Sequence, residues 1–173
     1  MINLKIKIDK TSKQWDRAFY CYRKKINQAT ACAFALAKKP TAFKDRTFDI
    51  NIILTTDANI KKINKTYRKK DKATNVLSFP QFSFKTPVKK SELVMFPAET
   101  TIPLGDIILA KQTIKKEAKT EGKEVENHVI HLVVHGILHL LGYDHMTDKD
   151  VKKMEKMEIK ILDTLGYPNP YEQ

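Results

Sequence analysis

Hydrophobic and polar positions along this chain follow patterns that predict four strands and five helices. Strict alternation in INLKIKI predicts a strand with one buried face, and three further apolar, β-rich runs predict the others. The predicted strands lie at residues 2–8, 47–54, 75–82 and 105–110, and the predicted helices at 13–38, 57–67, 111–121, 123–141 and 147–165. This order predicts the α+β or α/β class, with a small mixed sheet of about four strands and helices packed around a central buried helix.

Side chains at several element ends support this assignment. Asp57 and Thr147 are suited to cap the helices that begin there, and Asp150 three residues after Thr147 resembles a capping box. Pro80 places the third strand at an edge of the sheet or ends its pairing, because proline cannot donate to a β ladder. Residues 83–101 mix prolines, lysines and polar groups without a period, and we expect a hairpin or a mobile loop there.

The stretch HGILHLLGYDH at 135–145 places three histidines in an apolar segment. The residues between the histidines of this helix are apolar, so it is predicted to be the central, buried one. His135 and His139 are four residues apart, which puts both imidazoles on one helix face, about 6 Å apart, where they can share a metal ion. Gly142 is suited to the left-handed conformation that ends a helix, after which the chain can return with His145 as a third ligand.

The spacing HxxxHxxGxxH is also that of the metzincin zinc proteases. Those proteases carry a glutamate directly after the first histidine as general base, and this chain has Gly136 in that place. The difference leaves the metal ligands intact but removes the base that peptide hydrolysis needs. A metalloprotease is therefore kept only as an alternative.

The ligand set favours one zinc ion per chain, although nickel, iron or copper would also bind three neutral imidazoles. Three protein ligands leave a fourth position open, as in catalytic sites where the ion activates water and polarises a phosphoryl oxygen. His131 lies one turn before His135, and either competes as a ligand or, as we expect, supports a ligand or packs in the core. His128 is expected to be a hydrogen-bonded residue of the surface or flank.

Length and charge narrow the class of protein. The chain has 173 residues and is expected to form one domain spanning 1–173. Its formal net charge of +12, from 32 Lys+Arg against 20 Asp+Glu, favours a polyanionic partner such as nucleic acid or an anionic membrane surface. The longest apolar runs are too short to span a membrane and the start has no signal-peptide core, so a cytoplasmic protein is expected. We expect no membrane partner and no dinucleotide cofactor.

Several blocks of the chain resemble the YbeY family of bacterial metal-dependent endoribonucleases, which act in ribosomal RNA maturation. The similar blocks are HLVVHGILHLLGYDH at 131–145, INKTYRKKDKATNVLSFP at 63–80, LGDIILA at 104–110 and the closing LGYPNPY at 165–171. Their order agrees too, and the resemblance covers roughly residues 45–171. Many members have aspartate where this chain has Asn75, so no carboxylate role is carried over to that position.

The resemblance implies that His135, His139 and His145 hold the metal, with His135 also counted among the catalytic groups. It makes Arg68 the basic residue of the active-site cleft, where a guanidinium can grip a phosphate through two N–H groups and stabilise its growing charge. Asp144 either orients an imidazole or moves a proton, or it only forms the turn.

The resulting prediction is a zinc-dependent endoribonuclease that cuts single-stranded ribosomal RNA. The resemblance implies the 3′ end of small-subunit ribosomal RNA as substrate, and the small ribosomal subunit and the Era GTPase as partners. The nucleophile is either water or the neighbouring 2′-hydroxyl, and the sequence leaves both routes open. The alternatives are a metzincin-like protease and a non-enzymatic ribosome-assembly factor whose metal only stabilises the fold.

Overall fold

The computed structural model describes residues 3–37, 46–84, 90–93, 95–97 and 99–172. Its strands are β1 (Asn3–Lys10), β2 (Thr47–Thr55), β3 (Val76–Pro80) and β4 (Thr101–Ala110). Its helices are α1 (Asp16–Leu36), α2 (Asp57–Arg68), α3 (Lys111–Thr120), α4 (Val125–Leu140) and α5 (Asp148–Thr164), with short 3₁₀ helices at Lys13–Trp15 and Lys90–Leu93. The predicted number and order of the main elements are confirmed.

The four strands form one mixed sheet in the order β1-β2-β4-β3. Neighbours β1 and β2 run parallel, as do β2 and β4, whereas β3 pairs antiparallel with β4. The predicted small mixed sheet is therefore confirmed. Strand β3 lies at an edge and ends at Pro80, as expected for a residue without an N–H to donate.

Helices cover both faces of the sheet, and the larger core lies on one of them. There α1 and α4 cover strand residues such as Ile50, Ile52 and Ile107, and α5 packs on α1 and α4. On the other face α2 packs through Ile60 on a smaller cluster with Leu77, Ile108 and Ala110. This arrangement makes α4 the central buried helix that its apolar sequence predicts.

The start of α2 differs from the sequence prediction. The N-cap of α2 is Thr56, whose side chain accepts from the Asn59 N–H at 3.3 Å, and Asp57 instead accepts hydrogen bonds from Thr113. The predicted cap at Thr147 is confirmed.

Strand β4 begins at Thr101 rather than Gly105, because Pro103 pairs with Asp49 ahead of a register shift in the ladder. The predicted irregular segment at 83–101 therefore ends where β4 starts. Its residues 85–89, 94 and 98 lie outside the described part of the chain. Among the described helices, none combines the length and the apolar character that crossing a membrane requires.

Candidate metal centre

The histidines of α4 share one face of an otherwise buried helix. From His128 to Leu140 every residue is buried except those at 131, 135 and 139, which are only partly covered. The His135 and His139 ring centroids lie 4.5 Å apart, and His145 lies 5.8 Å from the first and 4.9 Å from the second. One ligand atom from each of the three lies within 4.8 Å of the others. The structure therefore brings together the three histidines that the spacing predicts.

The return of the chain to this cluster depends on Gly142. Its φ is +84°, and the N–H groups of Gly142 and Tyr143 donate to the carbonyls of His139 (3.0 Å) and Leu138 (2.9 Å). This is the Schellman arrangement that closes a helix on a left-handed residue. A Cβ at Gly142 would also lie 2.2 Å from the Phe84 carbonyl oxygen. Both the backbone conformation and the lack of space therefore require glycine at this position.

Hydrogen bonds fix the proton positions of two imidazoles. His135 Nδ1 lies 2.7 Å from Glu158 Oε1, and His139 Nδ1 lies 3.0 Å from the Tyr143 carbonyl oxygen. A carboxylate and a carbonyl only accept, so both Nδ1 atoms must donate, and in the neutral form of each ring Nε2 carries the lone pair. These two Nε2 atoms face each other at 3.0 Å.

Two facing lone pairs repel unless a cation or a proton lies between or beside them. Burial lowers the pKa of His139 to about 4, aided by the neighbouring His135 and His145, so its imidazole stays neutral near pH 7. A tetrahedral zinc ion holds its nitrogen ligands roughly 3.3 Å apart, close to the observed spacing. The donor set therefore fits a metal ion, and the exposed His145 is the histidine of the cluster with freedom to adjust.

Glu158 on α5 is the residue of this site that the sequence analysis missed. The side chain is fully buried and accepts from His135 Nδ1 through Oε1. Through Oε2 it accepts from His131 Nε2 at 3.2 Å and from the Tyr171 hydroxyl. Burial by itself would raise the pKa of Glu158, but the hydrogen bonds from the two histidines outweigh it and lower the pKa to about 2.

A signal for Glu158 was present in the sequence. The buried residues of α5 are Met154, Glu158, Ile161 and Leu162, at the spacing of one helix face. A glutamate on an apolar face needs a buried partner, because an isolated carboxylate is costly to remove from water. The partner lay 23 residues away on α4, which helical periodicity alone does not reveal.

The two remaining histidines of α4 have different surroundings. His131 hydrogen-bonds to Glu158 and packs edge-on against Tyr171, outside the three-histidine cluster, in line with the expected supporting role. His128 is buried rather than at the surface, so that part of the prediction is wrong. Its Nε2 lies 2.8 Å from Glu117 Oε2, and that same oxygen accepts from Asn75 at 2.9 Å.

Arg68 belongs to α2, which packs on the opposite face of the sheet from α4. Arg68 is the last residue of α2. It donates from Nη2 to the carbonyl of Ser78 on the edge strand β3, at 3.0 Å, and its guanidinium lies 5.7 Å from the centre of the Phe79 ring. The side chain is exposed and lines a cleft of about 500 Å³ that also contains the three clustered histidines. The predicted arginine and the predicted ligands therefore share one cavity.

Asp144 also lines this cleft. Its Oδ1 accepts from the N–H of His145 at 2.8 Å, which is a local turn contact. Asn75, which also lines the cleft, accepts from the Val76 N–H at 2.6 Å and donates to Glu117. The side-chain amide thus both donates and accepts, and a carboxylate in its place could not donate to Glu117.

Gly136 faces the sheet, away from the cleft. A Cβ there would lie 2.9 Å from both Cδ1 and Cγ2 of Ile107 on β4. Any side chain at this position must displace Ile107, so α4 approaches the sheet closely because this residue is glycine. A glutamate in the place where the proteases hold their base would point into the core.

Comparisons with known proteins agree with this geometry. A family model described as Endoribonuclease YbeY matches residues 9–166. The chain belongs to the YbeY family. The resemblance stated from the sequence is therefore confirmed.

Three bacterial relatives, each named Endoribonuclease YbeY, show how far the family likeness extends. The Agrobacterium fabrum protein is 39% identical over 141 residues, 82% of this chain and 78% of the relative. The Parvibaculum lavamentivorans protein is 41% identical over 146 residues, covering 84% and 75%. The Rhizobium etli (strain CIAT 652) protein is 46% identical over 124 residues, covering 72% and 67%.

A solution structure of a Thermotoga maritima protein has a similar fold, with a TM-score of 0.51 over 98% of this chain and 100% of that one. At 21% identity this likeness bears on the fold alone.

Proposed function

We propose that this protein is a metal-dependent endoribonuclease that cuts single-stranded RNA during ribosomal RNA maturation. Family membership supports endoribonuclease function in ribosomal RNA processing. The observation that carries the proposal is the pair of facing Nε2 atoms of His135 and His139, 3.0 Å apart, in the same cleft as Arg68. Metal ligands and a phosphate-binding cation in one cavity are a combination that can catalyse phosphodiester cleavage.

We propose zinc as the ion, held by His135, His139 and His145, with nickel or another divalent transition metal as alternatives. Three imidazoles with an open fourth position match catalytic zinc sites. When bound, zinc lowers the pKa of water and polarises a phosphoryl oxygen. Glu158 holds the His135 ring in the tautomer that presents Nε2, and the Tyr143 carbonyl does the same for His139.

Arg68 is proposed to bind the scissile phosphate. One terminal nitrogen is occupied by the Ser78 carbonyl, and the remaining N–H groups of the guanidinium are available to a phosphate oxygen in the cleft. The charge that develops on the phosphate during cleavage is then stabilised by a fixed cation. Asp144 is proposed to shape the turn that presents His145, and proton transfer is the alternative role to be tested.

The wider assignment concerns substrate and location. We propose that the protein acts in the cytoplasm on the 3′ end of small-subunit ribosomal RNA, close to the small ribosomal subunit, with the Era GTPase as a partner to test. The net charge of +12 supports electrostatic recruitment of RNA, which weakens steeply as salt rises.

The test combines metal analysis with cleavage of a precursor of small-subunit ribosomal RNA. Wild type is expected to carry about one equivalent of metal and to cut. His135→Ala should lose both properties, and Arg68→Ala should keep the metal and lose cleavage. If wild type holds no metal and both variants still cut, the proposed mechanism is wrong. A 2′,3′-cyclic phosphate on the product would assign attack to the neighbouring 2′-hydroxyl rather than to water.

A further inference from the structure

A second basic feature lies on the outer face of α5, beside the cleft. Five lysines line a groove of about 630 Å³ together with Tyr143, Asp148 and Met157. The lysines of this lysine groove are Lys149, Lys152, Lys153, Lys156 and Lys160. With one aspartate against five lysines, the groove is strongly positive and suits a polyanion.

The lysines recur at the spacing of a single helix face. At 100° per residue they fall within about 100° of arc, directly opposite the face that α5 buries. Lys152 and Lys156 are four residues apart, as are Lys156 and Lys160, and like charges at this separation repel. The sequence therefore concentrates positive charge on one face where spreading it would favour stability.

The lysines of the groove differ in their neighbours. Within the described part of the chain, Lys149, Lys152, Lys156 and Lys160 form no ion pair and are exposed. Lys153 lies over the Tyr143 ring, 5.3 Å from its centre. A ligand with several negative charges at regular intervals could form ion pairs with these lysines.

The lysine groove joins the metal centre at Tyr143. This residue lines both cavities, and its carbonyl accepts the hydrogen bond that orients His139. From Lys149 to Lys160 the helix extends about 16 Å, enough to follow a short stretch of single-stranded backbone away from the cleft.

We propose that the lysine groove binds the phosphates of the RNA strand on one side of the scissile bond. The proposal rests on the proposed function for its choice of RNA as the polyanion. It assigns α5 to substrate binding, a role separate from the part that Glu158 plays on the buried face of the same helix.

The experiment compares two triple variants with the same loss of charge. In the first, Lys152→Gln, Lys156→Gln and Lys160→Gln remove three groove lysines and leave Lys153 on Tyr143. The matched control is Lys115→Gln, Lys116→Gln and Lys119→Gln on α3, where all three side chains are exposed and line neither cavity. Melting temperatures establish that both variants fold.

Binding is measured with fluorescently labelled single-stranded RNAs of about 20 and about 4 nucleotides, across a salt series. For the longer RNA the groove variant should raise Kd at least about tenfold at low salt and reduce the slope of log K against log salt by about 2. The shorter RNA should bind both variants as it binds wild type, because it occupies only the cleft. Cleavage of the longer RNA should show a raised KM with kcat unchanged.

Equal losses in both triple variants, or a loss that does not depend on RNA length, would overturn the proposal. So would unchanged RNA binding accompanied by lost binding to phosphatidylserine vesicles, which would assign the groove to a membrane surface. The proposed function can fail separately. If wild type binds the longer RNA through the groove but does not cut it, the result supports RNA binding by the groove and contradicts the proposed nuclease activity.

Discussion

The two sides of the cleft are built in different ways. The histidine side comes from one continuous segment, a buried helix and its glycine turn, and Glu158 and the Tyr143 carbonyl fix two of its rings. The arginine side is a single exposed residue at the end of α2, held by one hydrogen bond to an edge strand. His135 and His139 are oriented before any ligand arrives, whereas Arg68 needs its substrate phosphate to complete its contacts.

This difference separates two kinds of defect. Changes on the histidine side should act on metal binding, with activity lost as a consequence. Changes on the arginine side should act on turnover while the metal stays in place. Each of the following substitutions tests one side of that division.

The largest effect is expected from His139→Ala. This variant removes a proposed metal ligand whose Nε2 faces that of His135, so bound metal should fall far below one equivalent and cleavage should fall at least about a thousandfold. Elemental analysis and cleavage of labelled RNA measure both. His131→Gln is the matched control on the same helix face, and it should keep most of the metal. Equal metal loss in the two variants would place His131 among the ligands.

Arg68→Ala should lower kcat by about 10²–10³, with metal content unchanged, because a fixed donor to the developing charge is lost. Arg68→Lys keeps the charge but not the planar fork, and should recover only part of the rate. Steady-state kinetics with metal analysis on the same samples provide the measurement. If bound metal also fell in Arg68→Ala, the proposed separation between metal binding on the histidine side and turnover on the arginine side would be wrong.

Glu158→Gln should weaken metal affinity by about 10–100-fold, because an amide oxygen replaces an ionised acceptor shared by His131 and His135. Competition with a coloured chelator gives the affinity. Glu155→Gln on the same helix is the control, as no hydrogen bond or ion pair of Glu155 is present among the described residues. Unchanged affinity in Glu158→Gln would reduce this carboxylate to a packing role.

Gly136→Ala tests why the histidine helix lies so close to the sheet. The contact with Ile107 should outweigh the roughly 1 kcal/mol that alanine gains in helix propensity, leaving a net loss of about 1 kcal/mol in unfolding free energy. Ile107→Val removes one of the clashing carbons and should restore part of that loss in the double variant. Urea denaturation of wild type, the two single variants and the double variant gives the coupling energy between the two positions. If Gly136→Ala stabilises the protein and the double variant shows no coupling energy, the helix has room for a methyl group beside Ile107.

The smallest effect is expected from Asp144→Asn. Asparagine keeps an oxygen to accept from the His145 N–H, so the turn survives and kcat should change less than about threefold. The pH dependence of kcat is the measurement. A loss of about 10² or more would assign Asp144 to proton transfer.

The sequence predicted what depends on local spacing. Helical periodicity placed His135 and His139 on one face, and Gly142 accounted for the return of His145. The start of β4 was missed because Pro103 is typical of loops, although Pro103 pairs with Asp49 next to a register shift in the ladder.

Contacts between distant elements were harder to predict. Glu158 is 23 residues from His135, and Tyr171 is 13 residues beyond Glu158, so no short motif joins them. Arg68 was identified by family resemblance, but its reach into the cleft depends on β3 being an edge strand with a carbonyl open to a side chain.

The central claim is that one metal ion on the three histidines enables RNA cleavage. Its most direct test is to strip the protein with a chelator, return zinc in steps, and follow bound metal and cleavage of single-stranded RNA together. Activity should rise in proportion to bound zinc and level off near about one equivalent, and His139→Ala should recover none. A metal-free protein that cuts as fast as the reloaded one would contradict the account.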